Sequence, residues 1–202
     1  MKNLLLLFFA IGITLLISCG EGNVVVIQDP QIQRNADIEI IEDFLADKGY
    51  TNDQIDTTAS GVRYVILDEG QTQYDSLKIE ESDIIKYDYI GRLTNDKLFD
   101  TTIESIAVED TVVYSETRNY SPLVMTYSST GWWIDGRGFV NGFSDGITGS
   151  FGKLHIGGRV LIVIPSDLAY GPRALANNDG VETVPANSVI TFELLPIAIK
   201  KQ

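Results

Sequence analysis

Downstream of Ser60 the apolar residues recur at every second position. Val62, Tyr64 and Ile66 alternate with Arg63, Val65 and Leu67, and Ile85, Tyr87 and Tyr89 alternate with the polar Lys86 and Asp88. A period of two sends successive side chains to opposite faces of a strand, so both stretches predict β-strands, the second of them half-buried. Val160, Ile162 and Ile164 alternate with Leu161 and Val163, which are just as apolar. A strand of that kind is expected to be covered on both faces. Ile190, Phe192 and Leu194 mark a last strand. Two stretches change to a helical period. Ile38, Ile41 and Leu45 form one stripe with Phe44 beside it, Asn35 or Asp37 can cap its start, and Gly49 follows Lys48, so a helix is predicted over Asn35–Lys48. Phe139, Phe143 and Ile147 recur every four residues and predict one short helix among the strands. The fold class that follows is α+β: an antiparallel β-sheet wrapped around one short helix, with an N-terminal helical appendage. The stripe on that appendage reads as a packing face, with a dimer interface as the alternative.

The first residues follow neither period. Behind the positive Lys2, Leu4–Ile17 is an apolar run of 14 residues, broken only by Gly12 and Thr14. A membrane-spanning helix needs ~20 apolar residues, so the run is short for a span and reads as a signal peptide. It ends in Leu16-Ile17-Ser18-Cys19, which resembles the lipobox of bacterial lipoproteins. The resemblance implies cleavage before Cys19 and a diacylglycerol on its thiol. It also implies a place in the cell envelope of a Gram-negative-type bacterium, held to a membrane by lipid, with the outer membrane expected. A plain secretory leader with a chance cysteine, or an uncleaved anchor, are the alternatives. The chain therefore divides into a signal peptide at 1–18, a tether at 19–34, a helix and linker at 35–59, and a folded domain at 60–202. Val24-Val25-Val26-Ile27 is more apolar than a tether requires and reads as an added strand or a packing segment.

Composition narrows the chemistry. The 202 residues carry a net charge of −13, the same sign as phosphate, so nucleic acid is not an expected partner. One Cys and one His supply neither an internal disulfide nor the several soft ligands of a zinc or iron–sulfur site, and no cofactor or metal is expected. Cys–His catalysis would have to join His155 to Cys19, which stands at the end of the leader. Gly136-Arg137-Gly138 lacks the spacing and the strand–helix frame of a nucleotide loop and reads as a turn. Asn177-Asn178-Asp179-Gly180 lacks the outer acidic ligands of a calcium loop and reads as a surface turn. Trp132-Trp133 reads as core in at least one member, or as a sugar- or partner-binding pair if exposed.

Six short blocks then stand in a recognisable order. They are Tyr87-Asp88-Tyr89-Ile90-Gly91, Leu98-Phe99-Asp100-Thr101-Thr102, Gly138-Phe139-Val140-Asn141-Gly142-Phe143-Ser144-Asp145-Gly146-Ile147, Ile156-Gly157-Gly158-Arg159, Ile164-Pro165-Ser166-Asp167-Leu168-Ala169-Tyr170-Gly171, and Val184-Pro185-Ala186-Asn187-Ser188-Val189-Ile190-Thr191-Phe192. Together, over about Ser60–Lys200, they resemble the FKBP-type peptidyl-prolyl cis-trans isomerases. That resemblance implies a proline pocket. Its catalytic positions would be Asp100, Tyr170, Tyr89 and Phe143, with Phe143 as the floor. Phe99, Phe139, Val140, Leu123, Val184 and Phe192 would be substrate-binding walls. Proline-containing polypeptides are the implied substrates, and the family's macrolide inhibitors possible ligands. Packing alone would account for Phe192 or Phe139. Asp100 and Tyr170 are harder to place in a core, because a buried polar group costs free energy unless it is paired.

Three departures bear on the pocket rim. Ile103–Ser121 is longer than the matching bulge of small relatives and reads as a surface insertion; within it, Arg118 is the candidate partner of Asp100. Thr148–Lys153 lengthens the stretch after the short helix. Pro172–Glu182 is also long.

The implied reaction suits such a chain. Amide resonance sets a rotation barrier of ~18–20 kcal/mol, and the cis and trans forms of an X–Pro bond interconvert only over tens of seconds or longer. Rotation makes no bond between heavy atoms, so no nucleophile, metal or cofactor is required. The twisted amide is less polar than the planar one, and a dry apolar pocket stabilises it selectively. In this reading Tyr170 would be a hydroxyl donor for the substrate carbonyl, and Asp100 an organiser of neighbours such as Tyr89. The expectation is a foldase acting on X–Pro bonds of exported proteins. The alternative is a non-catalytic lipoprotein that uses the same fold to hold a peptide, partner or chaperone client.

Overall fold

The computed structural model describes residues 30–74, 83–110, 112–128, 131–134, 140–150 and 152–201. The principal sheet runs β1 (Ile55–Thr57), β2 (Arg63–Asp68), β7 (Arg159–Ile164), β10 (Ile190–Lys200), β3 (Ile84–Leu93), β5 (Leu123–Ser128) and β6 (Gly131–Ile134) in spatial order. A short strand, β4 (Leu98–Thr101), also pairs with β3. Every pairing among the described strands is antiparallel. β3 is long enough to serve two partners on one edge: Ile84–Tyr87 pair with β5, and Ile90–Arg92 pair with β4. A separate hairpin joins β8 (Leu175–Ala176) to β9 (Glu182–Val184). The helices are α1 (Pro30–Asp47), α2 (Glu104–Ala107) and α3 (Asn141–Ser150).

The doubly apolar strand is covered on both sides, as its pattern predicts. Val160, Ile162 and Ile164 of β7 join Phe143 and Ile147 of α3 in the main core. Leu161 and Val163, one residue out of phase, meet Ile41, Phe44 and Leu45 of α1, together with Val65 and Val189. Each fully buried side chain of this size contributes ~1.5–3 kcal/mol, so α1 is held by docking more than by its intrinsic propensity. α3 lies very close to β7. A Cβ on Gly142 would stand 2.2 Å from Ile164 Cγ2, and one on Gly146 2.3 Å from Ile162 Cγ2, so only glycine fits at these two positions.

Several boundaries differ from the sequence-based expectation. α1 begins at Pro30 and not at Asn35, so the last residues of the expected tether are helical. The cause is tertiary. Arg34, before the apolar stripe, pairs with Asp167 and donates to the Ser60 carbonyl. Asp37, read as a possible cap, is instead buried inside the helix and accepts hydrogen bonds from Ser166. α3 runs on to Ser150, so Thr148–Ser150 belong to the helix and not to the loop after it.

Ile103–Ser121 is not a bare surface insertion. It contains α2, and its Ala107 and Val113 are buried against Leu98 with Ile106, Tyr114 and Tyr120 packed around them. The long segment Pro172–Glu182 contains β8, and the turn expected at Asn177–Gly180 is closed by Gly180 N donating to Asn177 O at 3.0 Å. Residues 1–29 lie outside the described residues, and with them the leader, Cys19 and Val24–Ile27. So do Gly136-Arg137-Gly138 and Phe139, and the side chains of Trp132 and Trp133. Among the described residues no helix is long and apolar enough to cross a membrane.

Candidate functional site

The strand register assembles the site around one glycine. Gly91 of β3 lies opposite Phe192 of β10 on one side and Asp100 of β4 on the other. A Cβ there would stand 2.8 Å from Phe99 Cζ and 2.9 Å from Phe192 Cε1. The missing side chain is what lets the two rings meet. Phe192 is the hub of the aromatic group. Its centroid lies 5.7 Å from that of Tyr89, 5.5 Å from Phe99 and 4.9 Å from Phe143, each pair edge to face. Phe99 in turn meets Tyr170 edge to face at 6.4 Å, and Tyr89 meets Phe143 in the same way at 6.4 Å. Such geometry sets the positive edge of one ring on the negative face of the next, worth ~0.5–1.5 kcal/mol per pair beyond area burial.

A polar triad stands on this group. Tyr89, only 1% exposed, donates its hydroxyl to Asp100 Oδ2 at 2.5 Å. Asp100 Oδ1 accepts from the Thr101 backbone N at 2.9 Å and pairs with Arg118 Nη1 at 2.6 Å. The carboxylate thus gives the buried phenol an acceptor. Burial pulls the Arg118 guanidinium down. The charge of Asp100 and hydrogen bonds to Asp100 and Tyr89 outweigh it and hold the group above its ordinary value, so it stays cationic. Burial pushes the Tyr170 hydroxyl up, and the Asp100 charge adds to the shift, so the phenol is a firmly protonated donor at neutral pH.

Two threonines that follow Asp100 hold the backbone of Tyr89. Thr101 Oγ1 donates to the Tyr89 carbonyl at 2.7 Å, while Tyr89 N donates to Thr102 Oγ1 at 2.9 Å. Thr102 Oγ1 in turn donates to Asp88 Oδ1 at 2.7 Å. A second pair holds Arg118. Its guanidinium lies over the Tyr120 ring at 5.1 Å, and Tyr120 stacks on Tyr114 at 6.1 Å with an interplanar angle of 6°. Ser115 N donates to Tyr120 Oη at 3.0 Å, which closes the loop on itself.

The residues singled out in the sequence fall into two sets. Phe143, Phe192, Val184, Leu123 and Tyr89 are almost wholly buried in one cluster with Phe99, and they support the site from below. Asp100, Tyr170 and Val140 are half-buried and reach the surface. Val140 precedes α3, and its carbonyl accepts from Phe143 N at 3.0 Å. Phe139 lies outside the described residues. Arg118, the candidate partner of Asp100 in the sequence, is brought to it by the structure. Sequence reasoning missed Thr101, Thr102, Tyr114 and Tyr120 as supports. The signal available for the threonines was two hydroxyls directly after Asp100. For Tyr120 it was an aromatic two residues from the candidate arginine.

Beside the triad, a groove of about 650 Å³ separates the Ile103–Ser121 segment from the β8–β9 hairpin. Phe99, Tyr114, Arg118, Leu175, Asn177 and Thr183 are among its lining, so it is continuous with the site. Asn177 Nδ2 donates to the Val112 carbonyl at 3.2 Å and ties the two walls together. No His, Cys, Asp and Glu grouping able to hold a metal ion occurs among the described residues.

Compared with known families, residues 76–195 match the model described as FKBP-type peptidyl-prolyl cis-trans isomerase. No curated protein matches the chain. Among solved structures, a peptidyl-prolyl cis-trans isomerase from Pseudomonas syringae pv. tomato is 19% identical, with 86% of this chain and 98% of that chain covered at a TM-score of 0.50. That likeness is one of fold. AtFKBP13 is 25% identical over 71% of this chain and 97% of that one, at a TM-score of 0.49. FkpA from Escherichia coli is 20% identical over 84% of this chain, at a TM-score of 0.47, and the match spans 63% of FkpA's own length.

Proposed function

The chain belongs to the FKBP-type peptidyl-prolyl cis-trans isomerase family, and from that premise we propose that it is an active isomerase of X–Pro bonds in exported polypeptides. The observation that carries the proposal is the Tyr89–Asp100–Arg118 triad on the aromatic group. A decayed pocket has no need of a carboxylate held by a buried phenol, a backbone amide and a guanidinium. In the proposed reaction the pyrrolidine ring of the substrate rests against the aromatic group. As the amide twists it loses resonance and polarity, and the apolar surface favours it over the planar form. Tyr170, protonated at neutral pH, donates its hydroxyl to the substrate carbonyl. Asp100 does not exchange a proton with the substrate; it fixes Tyr89 and Arg118 and thereby the shape of the surface. Macrolides that mimic a twisted prolyl amide are expected to compete for the same place.

The cellular setting is part of the proposal. The lipobox-like Leu16-Ile17-Ser18-Cys19 supports lipidation of Cys19 and a place in the cell envelope, with exported proteins as substrates. Isomerisation of a panel of peptides differing in the residue before proline, followed with the purified protein, tests the activity. Absence of any acceleration by folded protein across the panel would overturn it. The groove beside Phe99 and Arg118 favours a second reading, in which the same surface holds a polypeptide without turning it over. Peptide binding by the wild type without acceleration would select that reading.

A further inference from the structure

We propose that Asp37 is a positioning residue for Tyr170, and that α1 is thereby part of the framework of the isomerase site. α1 lies outside the family match, which begins at residue 76. Its apolar stripe, Ile41, Phe44 and Leu45, accounts for its docking on the sheet. Asp37 does something else. It is 0% exposed. Its Oδ2 accepts from the backbone N of Ser166 at 2.8 Å and from Ser166 Oγ at 2.7 Å, and its Oδ1 accepts from Gln33 Nε2 at 2.7 Å. A buried carboxylate costs free energy unless it is fully hydrogen-bonded, and packing alone would be met by an alanine. Two of the three donors that Asp37 recruits belong to one residue 129 positions away.

Ser166 is the residue on which the Tyr170 turn is hung. Its carbonyl accepts from Ala169 N at 3.1 Å and from Gly171 N at 2.8 Å, the two neighbours of Tyr170. Gly171 sits at a positive φ of 59°, and its own carbonyl accepts from Asn187 N at 2.7 Å. Arg34, one helical turn before Asp37, pairs with Asp167 and grips the same turn from outside. The path is therefore short: Asp37 holds Ser166, one oxygen of Ser166 holds both flanks of Tyr170, and the Tyr170 ring stands edge to face with Phe99. Removing the carboxylate leaves Ser166 N buried without its partner and frees the turn to shift.

The inference rests on the isomerase reading for its kinetic readout alone, so the test has a second readout. Four variants of the full chain are compared with wild type: Asp37→Ala, Asp37→Asn, Ser166→Ala and Ile41→Val. Ile41→Val loosens the packing of α1 without touching Ser166. Misplacing a contact group by about an ångström can cost up to ~100-fold, so Asp37→Ala is expected to lower kcat/KM about tenfold or more, chiefly in kcat. Asp37→Asn keeps an acceptor oxygen and is expected to recover to within a few-fold of wild type. Ile41→Val is expected to lower the melting temperature while kcat/KM stays unchanged. The Tyr170 ring-proton resonances, identified by their loss in Tyr170→Phe, should move in Asp37→Ala, move less in Ser166→Ala and stay in place in Ile41→Val. Wild-type Tyr170 resonances in Asp37→Ala would overturn the proposal, and so would an equal shift in Ile41→Val. If Asp37→Ala does not fold, unshifted resonances in both Ser166→Ala and Asp37→Asn would overturn it. If the wild type shows no isomerisation, the activity reading fails while the resonances still decide the role of Asp37.

Discussion

Asp100→Ala removes three interactions at once, and their sizes can be set against each other. The Tyr89 hydroxyl loses its acceptor while staying buried, which costs ~1–3 kcal/mol. The Thr101 amide loses a hydrogen bond, ~1 kcal/mol. The ion pair with Arg118 adds little, at most ~1 kcal/mol, because the side chains of Arg118 and Asp100 are 27% and 33% exposed. The expected destabilisation is ~2–5 kcal/mol, dominated by the acceptor that the phenol loses. Asp100→Asn keeps an acceptor for both groups and should cost ~1 kcal/mol. Tyr89→Phe removes the donor, so in the double variant Tyr89→Phe/Asp100→Ala both ends of this hydrogen bond are gone. The double should be less destabilised than the sum of the singles, with a coupling of ~1–2 kcal/mol. Urea unfolding of the wild type, the two singles and the double measures this directly. Effects that add to within ~0.5 kcal/mol would show instead that the phenol does not depend on the carboxylate. In the same proteins Asp100→Ala should lower turnover more than it weakens binding of a proline-mimicking macrolide, with each tenfold in rate equal to ~1.4 kcal/mol.

Replacing Ile103–Ser121 by a short turn should destabilise the protein and also depress activity, since the segment buries Ala107 and Val113 against Leu98 and supplies Arg118; retention of wild-type stability by thermal melting would show that it is a bare loop after all. The raised hydroxyl of Tyr170 favours the protonated folded state, so its contribution to stability is full below about pH 10 and is lost as pH climbs through its higher folded value. Denaturant midpoints between pH 9 and pH 11.5 should fall more steeply for wild type than for Tyr170→Phe, and parallel curves would contradict the shift. Intact mass of membrane-extracted protein should show an acylated Cys19 as the first residue, and Cys19→Ala should not be acylated; an unmodified Cys19, or a mature chain starting elsewhere, would count against the lipoprotein reading.

The parts of the fold that were readable from sequence are those in which one strand or helix meets a continuous apolar surface. β7 announces cover on both faces because Leu161 and Val163 are as apolar as Val160, Ile162 and Ile164, and α1 and α3 supply that cover. What was not readable depends on partners distant along the chain. The first turn of α1 has no apolar period; it is ordered by Arg34 meeting Asp167, 133 residues away. α2 and the two strands of the β8–β9 hairpin are four, two and three residues long, too short for either period to show in them. The site divides in the same way. Phe99, Phe143 and Phe192 lie in blocks whose spacing carries them to one place. Arg118 lies in a segment of unusual length, where spacing along the chain no longer specifies position in space. Its place is set by its stacking on Tyr120 and by Asp100 itself.

The activity proposed for this surface is acceleration of rotation about a prolyl amide. Exchange NMR on an X–Pro peptide measures that rotation without a coupling protease, at equilibrium and with the purified, folded protein. The uncatalysed interconversion takes tens of seconds or longer. Cis–trans exchange cross-peaks are expected within about a second at catalytic protein concentrations, suppressed by a proline-mimicking macrolide and weakened in Asp100→Ala. Exchange no faster than in buffer, across peptides that the folded protein demonstrably binds, would contradict the proposed activity.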